Sequence, residues 1–161
     1  MNYTIRNMKT EDIPQVQQVA KTSWNATYEG IIPFAIQESF LATAYNDSMM
    51  KKRMEQSFLL VAEVEGKVVG FANFSPVKEN GEAELGAIYL DPSSQGKGLG
   101  TVLLRSGIAQ LENAEKILIK VEKDNKIGMN FYQAKGFELV SEFDDDFDGH
   151  VLKTVRMALK L

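Results

Sequence analysis

The sequence predicts a mixed α/β fold, and three observations carry that prediction. The apolar run Leu85-Gly86-Ala87-Ile88-Tyr89-Leu90 leads into the glycine-rich turn Gln95-Gly96-Lys97-Gly98-Leu99-Gly100. That turn opens the helical stretch Thr101-Val102-Leu103-Leu104-Arg105, and a second apolar run, Ile117 to Val121, follows. This is the pattern of a β-α-β crossover. Second, Phe58 to Val64 and Val68 to Ser75 flank Glu65-Gly66-Lys67, a hairpin signal that adds antiparallel strands. Third, Ile13, Val16, Ala20 and Trp24 recur at helical spacing near the start of the chain.

Taken in order, Tyr3 to Asn7 reads as a short strand. Thr10 caps a first helix, with Glu11 and Asp12 at its positive end and Pro14 in the first turn, where a missing N–H costs least. Gly30 and Pro33 punctuate. Helices follow from about Phe34 to Ala44 and from Ser48 to Gln56, and then the hairpin. Lys78-Glu79-Asn80-Gly81 is a loop before the strand Glu84 to Leu90. The helix from Leu99 to about Glu112 is apolar on most sides and therefore largely buried. Ile117 to Val121 is a strand and Lys126 to Ala134 a helix, with Gly136 suited to the left-handed position after it. Phe137 to Phe143 and Val151 to Ala158 are the last strands, separated by an acidic loop from Asp144 to Gly149. No repeat, linker or low-complexity segment interrupts the chain, so 1–161 is read as one domain.

Composition narrows the function classes. A chain of 161 residues with 44% hydrophobic and 25% charged residues is long enough to bury a substantial core. Its net charge of -4, without a basic stretch, argues against nucleic-acid binding. The absence of cysteine excludes disulfides, thiolate metal sites and a cysteine nucleophile. His150 is the only histidine, so a histidine triad or a zinc site has little support and no metal is expected. Met1 to Arg6 lacks an apolar signal core, and the densest apolar run, Phe58 to Ala62, is too short to span a membrane. The expected compartment is the cytoplasm, with no membrane partner.

The glycine-rich turn proposes a ligand. A strand feeding a helix through such a turn aims several backbone N–H groups and the positive helix end at one spot, which suits a phosphate or pyrophosphate. Glycines let the backbone approach without a Cβ in the way. The spacing is neither G-x-x-x-x-G-K-[ST] nor G-x-G-x-x-G. Alone, the hexapeptide also fits a tight turn that binds nothing.

Gln95 to Gly100 reads Q-x-x-G-x-G and resembles the coenzyme A loop of the GNAT superfamily of N-acetyltransferases. Asn125 to Phe137, Asn-Lys-Ile-Gly-Met-Asn-Phe-Tyr-Gln-Ala-Lys-Gly-Phe, looks like the family's second signature: an Asn, a Tyr seven residues on, and a Gly-Phe that closes the helix. Ile88-Tyr89-Leu90-Asp91-Pro92 is also typical of it. The resemblance runs from Glu84 to Phe137 in the family's order; before that it is one of layout only. It implies a central twisted mixed sheet flanked by helices, whose middle strands, Glu84–Leu90 and Ile117–Val121, splay apart to admit the pantetheine arm of acetyl-CoA.

Acetyl transfer to an amine requires a base, because alkyl amines titrate near pH ~10, and N–H donors for an oxyanion. An acid for the departing thiolate helps. By the resemblance, Glu84 is the candidate base, six residues before Leu90. Strand alternation places Glu84, Gly86, Ile88 and Leu90 on one face, if no bulge intervenes. The alternative is a solvent-facing glutamate at a strand end. Tyr132 is the candidate acid, or else an aromatic packing residue beside Phe131. Asn125 is expected to bond the pantetheine arm, to cap its helix, or both. The Leu90 N–H is expected to hold the oxyanion. The segment Ile88, Tyr89 and Leu90 and the N–H groups of Gln95, Gly96, Lys97, Gly98, Leu99, Gly100 and Thr101 are expected to hold the cofactor. Lys97 adds charge there, or is simply an exposed lysine.

The acceptor site is read from Trp24, Tyr28 and Asp146. Trp24 and Tyr28, with Ile31-Ile32-Pro33, wall this pocket in relatives, although Trp24 also fits the core. Asp146 belongs to the cluster Asp144, Asp145, Asp146 and Asp148, which could attract a cationic amine, including a polyamine, or form a solvated turn. The same run starts like a calcium loop, but Val155 stands where the bidentate glutamate belongs. The expected activity is direct acetyl transfer from acetyl-CoA to a primary amine of a small molecule or peptide. A protein N-terminus or lysine is an alternative acceptor. A non-catalytic acyl-CoA-binding module is the non-enzymatic alternative. A homodimer is compatible with the family.

Overall fold

The structure, a computed structural model, describes residues 2–161. The hairpin expected at Glu65-Gly66 forms: β2 (Phe58–Val64) and β3 (Lys67–Phe74) pair antiparallel. Glu65 and Gly66 both take positive φ, as a two-residue turn that matches strand twist requires. β1 (Tyr3–Asn7) pairs with β2, and β4 (Glu82–Leu90) with β3, both antiparallel. β5 (Lys116–Glu122) lies parallel to β4, then β7 (His150–Lys160) and β6 (Glu138–Phe147) complete a seven-stranded sheet in the order β1-β2-β3-β4-β5-β7-β6.

Helices cover both faces. On one, Val16, Val19 and Ala20 of α1 (Ile13–Tyr28) and Met50 of α3 (Asp47–Gln56) pack on Val61, Phe71 and Ala87. On the other, Leu103 and Leu104 of α4 (Leu99–Gln110) pack on Leu60, Ala72, Phe74 and Leu85. α2 (Phe34–Ala44) follows α1, and α5 (Lys126–Ala134) follows β5. Among the described residues no helix is long and apolar enough to cross a membrane.

Three local expectations are corrected. Thr10 does not cap α1: Thr10–Asp12 form a 3-10 turn. The Asp12 carboxylate accepts from the Arg6 guanidinium at 2.7 and 3.0 Å and from the Lys9 N–H at 2.8 Å. A charge-assisted pair with the half-buried Arg6 outweighs a helix end for that carboxylate. Second, Asp144 to Gly149 is not a loop. Both strands run on, and only Asp148 and Gly149 turn, with φ of 51° and 81°. Asp-Gly is a strong two-residue hairpin signal, and the run of acids masked it.

The third correction bears on the site. Leu85 pairs with Phe74 but Ala87 pairs with Asn73, so β4 bulges at Gly86. The extra residue inverts the pleat. Ala83 and Leu85 face α4 before the bulge and Ile88 and Leu90 after it, while Ala87 and Tyr89 face α1. Glu84 therefore shares a face with Ala87 and Tyr89, not with Ile88 and Leu90.

Candidate functional site

The ladder between β4 and β5 holds only at Glu82↔Lys116, Ala83↔Ile117 and Glu84↔Leu118. Beyond it the strands diverge and leave a gap, which is a cavity of about 280 Å³. The floor on the β4 side is Leu85 to Leu90, and the β5 side contributes Lys120, Val121 and Glu122. The glycine loop and Thr101 close one end, α5 brings Asn125, Phe131 and Tyr132, and α1 brings Ser23, Thr27 and Tyr28.

The open edge of β4 presents donors. Asp91 N–H bonds the Val69 carbonyl at 2.8 Å. Antiparallel pairing alternates, so the N–H groups of Leu90 and Ile88 point the other way, into the gap. Gln95 donates its side-chain amide to the Leu90 carbonyl at 3.5 Å, closing the strand-to-helix turn over the cavity.

The loop after β4 is built to take an anion. Gly96 and Gly98 have φ of 77° and 83°, a region that excludes most side chains. Gly98 is the residue before α4. Of the N–H groups from Gly96 to Val102, only that of Val102 has a partner among the described residues, the Gly98 carbonyl at 3.2 Å. Six unpaired donors thus lie together at the positive end of a helix. A Cβ at Gly96 or Gly98 would meet no atom within 4 Å, so the loop stands clear of the rest of the chain. These residues fit a pyrophosphate. Lys97 is exposed and does not line the cavity.

On α5, Asn125 both lines the cavity and caps the helix, its Oδ1 accepting from the Gly128 N–H at 2.9 Å. One helix position seven residues on carries Tyr132, whose ring stands edge-on to Phe131 and Phe137. Burial, and then the charge of Glu122, push the Tyr132 hydroxyl well above the usual tyrosine range. It stays protonated at any physiological pH and is a donor.

Tyr28 is buried, 4% exposed, and donates its hydroxyl to Glu122 Oε2 at 2.6 Å. Burial chiefly raises the Tyr28 hydroxyl too, with the neighbouring charges adding to it. Glu122 lies one residue past Val121, where the apolar run that marks the strand in the sequence stops, so the sequence alone does not single it out. The signal was there: Ile117, Ile119 and Val121 alternate inward, which leaves Lys120 and Glu122 on the other face.

The remaining expected residues lie elsewhere. Trp24 is 3% exposed, stacked on Phe40 with centroids 4.3 Å apart, and lines no part of the cavity. It is a core residue supporting Tyr28, 4.5 Å away. Asp146 is exposed at the β6–β7 hairpin, where its Oδ1 accepts the Gly149 N–H at 2.8 Å. Glu84 lines a second, shallower cavity with Lys52, Arg53 and Ser75, and meets Arg156 at 3.8 Å. The two cavities share Gly86, so the bulge is the wall between them.

Known proteins resemble both the sequence and this geometry. The model of the acetyltransferase (GNAT) family matches residues 18–137. An uncharacterized N-acetyltransferase of Bacillus subtilis, YuaI, is 33% identical over 157 residues, covering 94% of this chain and 90% of its own. The spermidine N(1)-acetyltransferase of Thermoplasma acidophilum is 29% identical over 162 residues, covering 91% of this chain and 95% of its own. The solved structure of the PaiA N-acetyltransferase from Thermoplasma acidophilum in complex with coenzyme A superposes with a TM-score of 0.85 at 25% identity, over 100% of both chains.

Proposed function

The chain belongs to the acetyltransferase (GNAT) family, and on that premise we propose that it acetylates a primary amine of a small cationic molecule, a polyamine being the favoured class. The observation that carries this reading is the gap itself: unpaired donors at one end, a protonated tyrosine in its wall and a carboxylate bonded to α1. It is an N-acetyltransferase, and its co-substrate is acetyl-CoA, which supplies a thioester-activated acetyl group when bound.

The N–H groups from Gly96 to Thr101 would hold the pyrophosphate, and Asn125 with the Ile88 to Leu90 edge would hold the pantetheine arm. The N–H of Leu90 donates into the gap, where a developing oxyanion needs a donor. Tyr132 donates a proton to the departing sulfur. Glu84, which lines the second cavity beyond the Gly86 bulge, would take the amine proton through water. No side chain in the cavity is a thiol, which suits direct transfer over a covalent intermediate. A homodimer belongs to the same reading: β6 is an edge strand with Leu139, Val140 and Phe143 exposed, and sedimentation velocity tests it.

The test is acetyl-CoA binding by calorimetry, followed by release of the CoA thiol with amines of graded charge. Turnover of polyamines above neutral or acidic amines is expected. Turnover of a peptide N-terminus and no polyamine would overturn the choice of acceptor. Binding without release from any amine would leave the non-catalytic binding module.

A further inference from the structure

Glu122 lies half-buried on the β5 wall of the cavity, and one of its two oxygens is held by the Tyr28 hydroxyl at 2.6 Å. The other oxygen has no hydrogen-bond partner, and the residue makes no ion pair among the described residues. Lys120 lines the same cavity two residues earlier, but it is exposed and makes no ion pair either. A carboxylate in the wall of a cavity loses water when an acceptor enters, and a cation carried by the acceptor offsets that loss. Glu122 is the one carboxylate among the described residues that line the gap, and it has no ion-pair partner there.

Position says which cation the carboxylate suits. Glu122 sits across the gap from the open edge of β4, on the side of α1 and close to Tyr132. It is also four residues beyond Leu118, the partner of Glu84, or about 13 Å along the strand. Aliphatic amines are cationic near neutral pH, and a diamine bound with one nitrogen at the reacting centre carries a second charge some distance away.

We propose that Glu122, oriented by the Tyr28 hydroxyl, is the anchor for a second ammonium group of the acceptor and so selects diamines and polyamines over monoamines. This rests on the amine-acetylating reading above. Binding is measured by calorimetry on the protein saturated with CoA, using putrescine and butylamine, which differ in the second ammonium. The wild type binds putrescine more tightly. Glu122→Gln weakens putrescine by about tenfold or more, towards the affinity of butylamine, and leaves butylamine and CoA unchanged. Tyr28→Phe, which keeps the ring and its packing, gives a smaller loss in the same direction and serves if Glu122→Gln does not fold. Equal loss for both amines, full putrescine affinity in Glu122→Gln, or no wild-type preference would each overturn the anchor. Wild-type binding of putrescine without thiol release from acetyl-CoA would instead sink the catalytic reading and leave the anchor standing.

Discussion

Tyr132 concentrates the chemistry that one residue can carry. Its ring is gripped between Phe131 and Phe137, and its hydroxyl is enclosed near Glu122. The anionic form is disfavoured twice, first by burial and then by a like charge, so the pKa rises. A group with a raised pKa keeps its proton past the ordinary tyrosine value of about 10. The basic limb of kcat should therefore show no loss from tyrosine ionisation up to pH ~10. Tyr132→Phe should lower kcat by roughly ten- to a hundredfold, less than the largest acid effects, because a thiolate of pKa ~8.5 leaves tolerably well unaided. The KM for acetyl-CoA should barely move. Steady-state kinetics over pH decide both points, and an unchanged kcat would reduce Tyr132 to packing. Glu84→Gln separates the two carboxylates: a base at Glu84 predicts a fall in kcat with amine affinity kept, the reverse of the Glu122 pattern.

At the scale of elements, what was legible in the sequence was periodicity and punctuation. The Gly66 hairpin, the helix opened by Gly98 and the Asn125 cap were all readable, because each is local chemistry. The bulge at Gly86 was not, since it exists only against Asn73 and Phe74 of the neighbouring strand, and it reassigns Glu84 to the α1 face. Glu122 was lost by one residue at a strand end, although its alternation was visible. Trp24 fits pocket or core by sequence, and its stacking on Phe40 places it in the core. Asp12 is a similar case, where a partner at Arg6 outweighed a helix terminus. That carboxylate is held below the ordinary range, first by Arg6 and then, against burial, by the Lys9 N–H. The pair's stabilisation is thus present above the ordinary carboxylate pKa and is lost as pH falls through and below about 4. Asp12→Asn should cost about 1–3 kcal/mol at neutral pH, and the gap in melting temperature from wild type should narrow as pH falls below about 4. A gap independent of pH would deny the pair its role. In α4, a Cβ on Gly107 would run into the fully buried Phe74 ring, so Gly107→Ala should destabilise by about 1–3 kcal/mol in denaturant melts.

The whole molecule is two half-sheets, β1 to β4 and β5-β7-β6, joined edge to edge by a ladder of three residue pairs. Seven strands would bury more backbone as one continuous sheet. The chain forgoes that pairing from Leu85 and Ile119 onward, and the unpaired edge becomes the binding surface. A ligand lying in the gap therefore takes the place of missing strand pairing, and its binding should register as stability of both halves together. Acetyl-CoA at a hundredfold excess over its Kd should add about 2.7 kcal/mol, or roughly 5–10 °C in melting temperature for a domain of this size. Amide hydrogen exchange locates the effect. Leu90 and Ile88 point their N–H groups into the gap, whereas Tyr89 points its own at β3, by the alternation that Asp91 and Val69 fix. Without ligand the amides of Ile88 and Leu90 should exchange fast and that of Tyr89 slowly. With acetyl-CoA the first two should slow sharply and Tyr89 should change little. Uniform slowing across β4 would point to tightening of the whole sheet, and no change at Ile88 and Leu90 would mean that the ligand does not lie along the open edge.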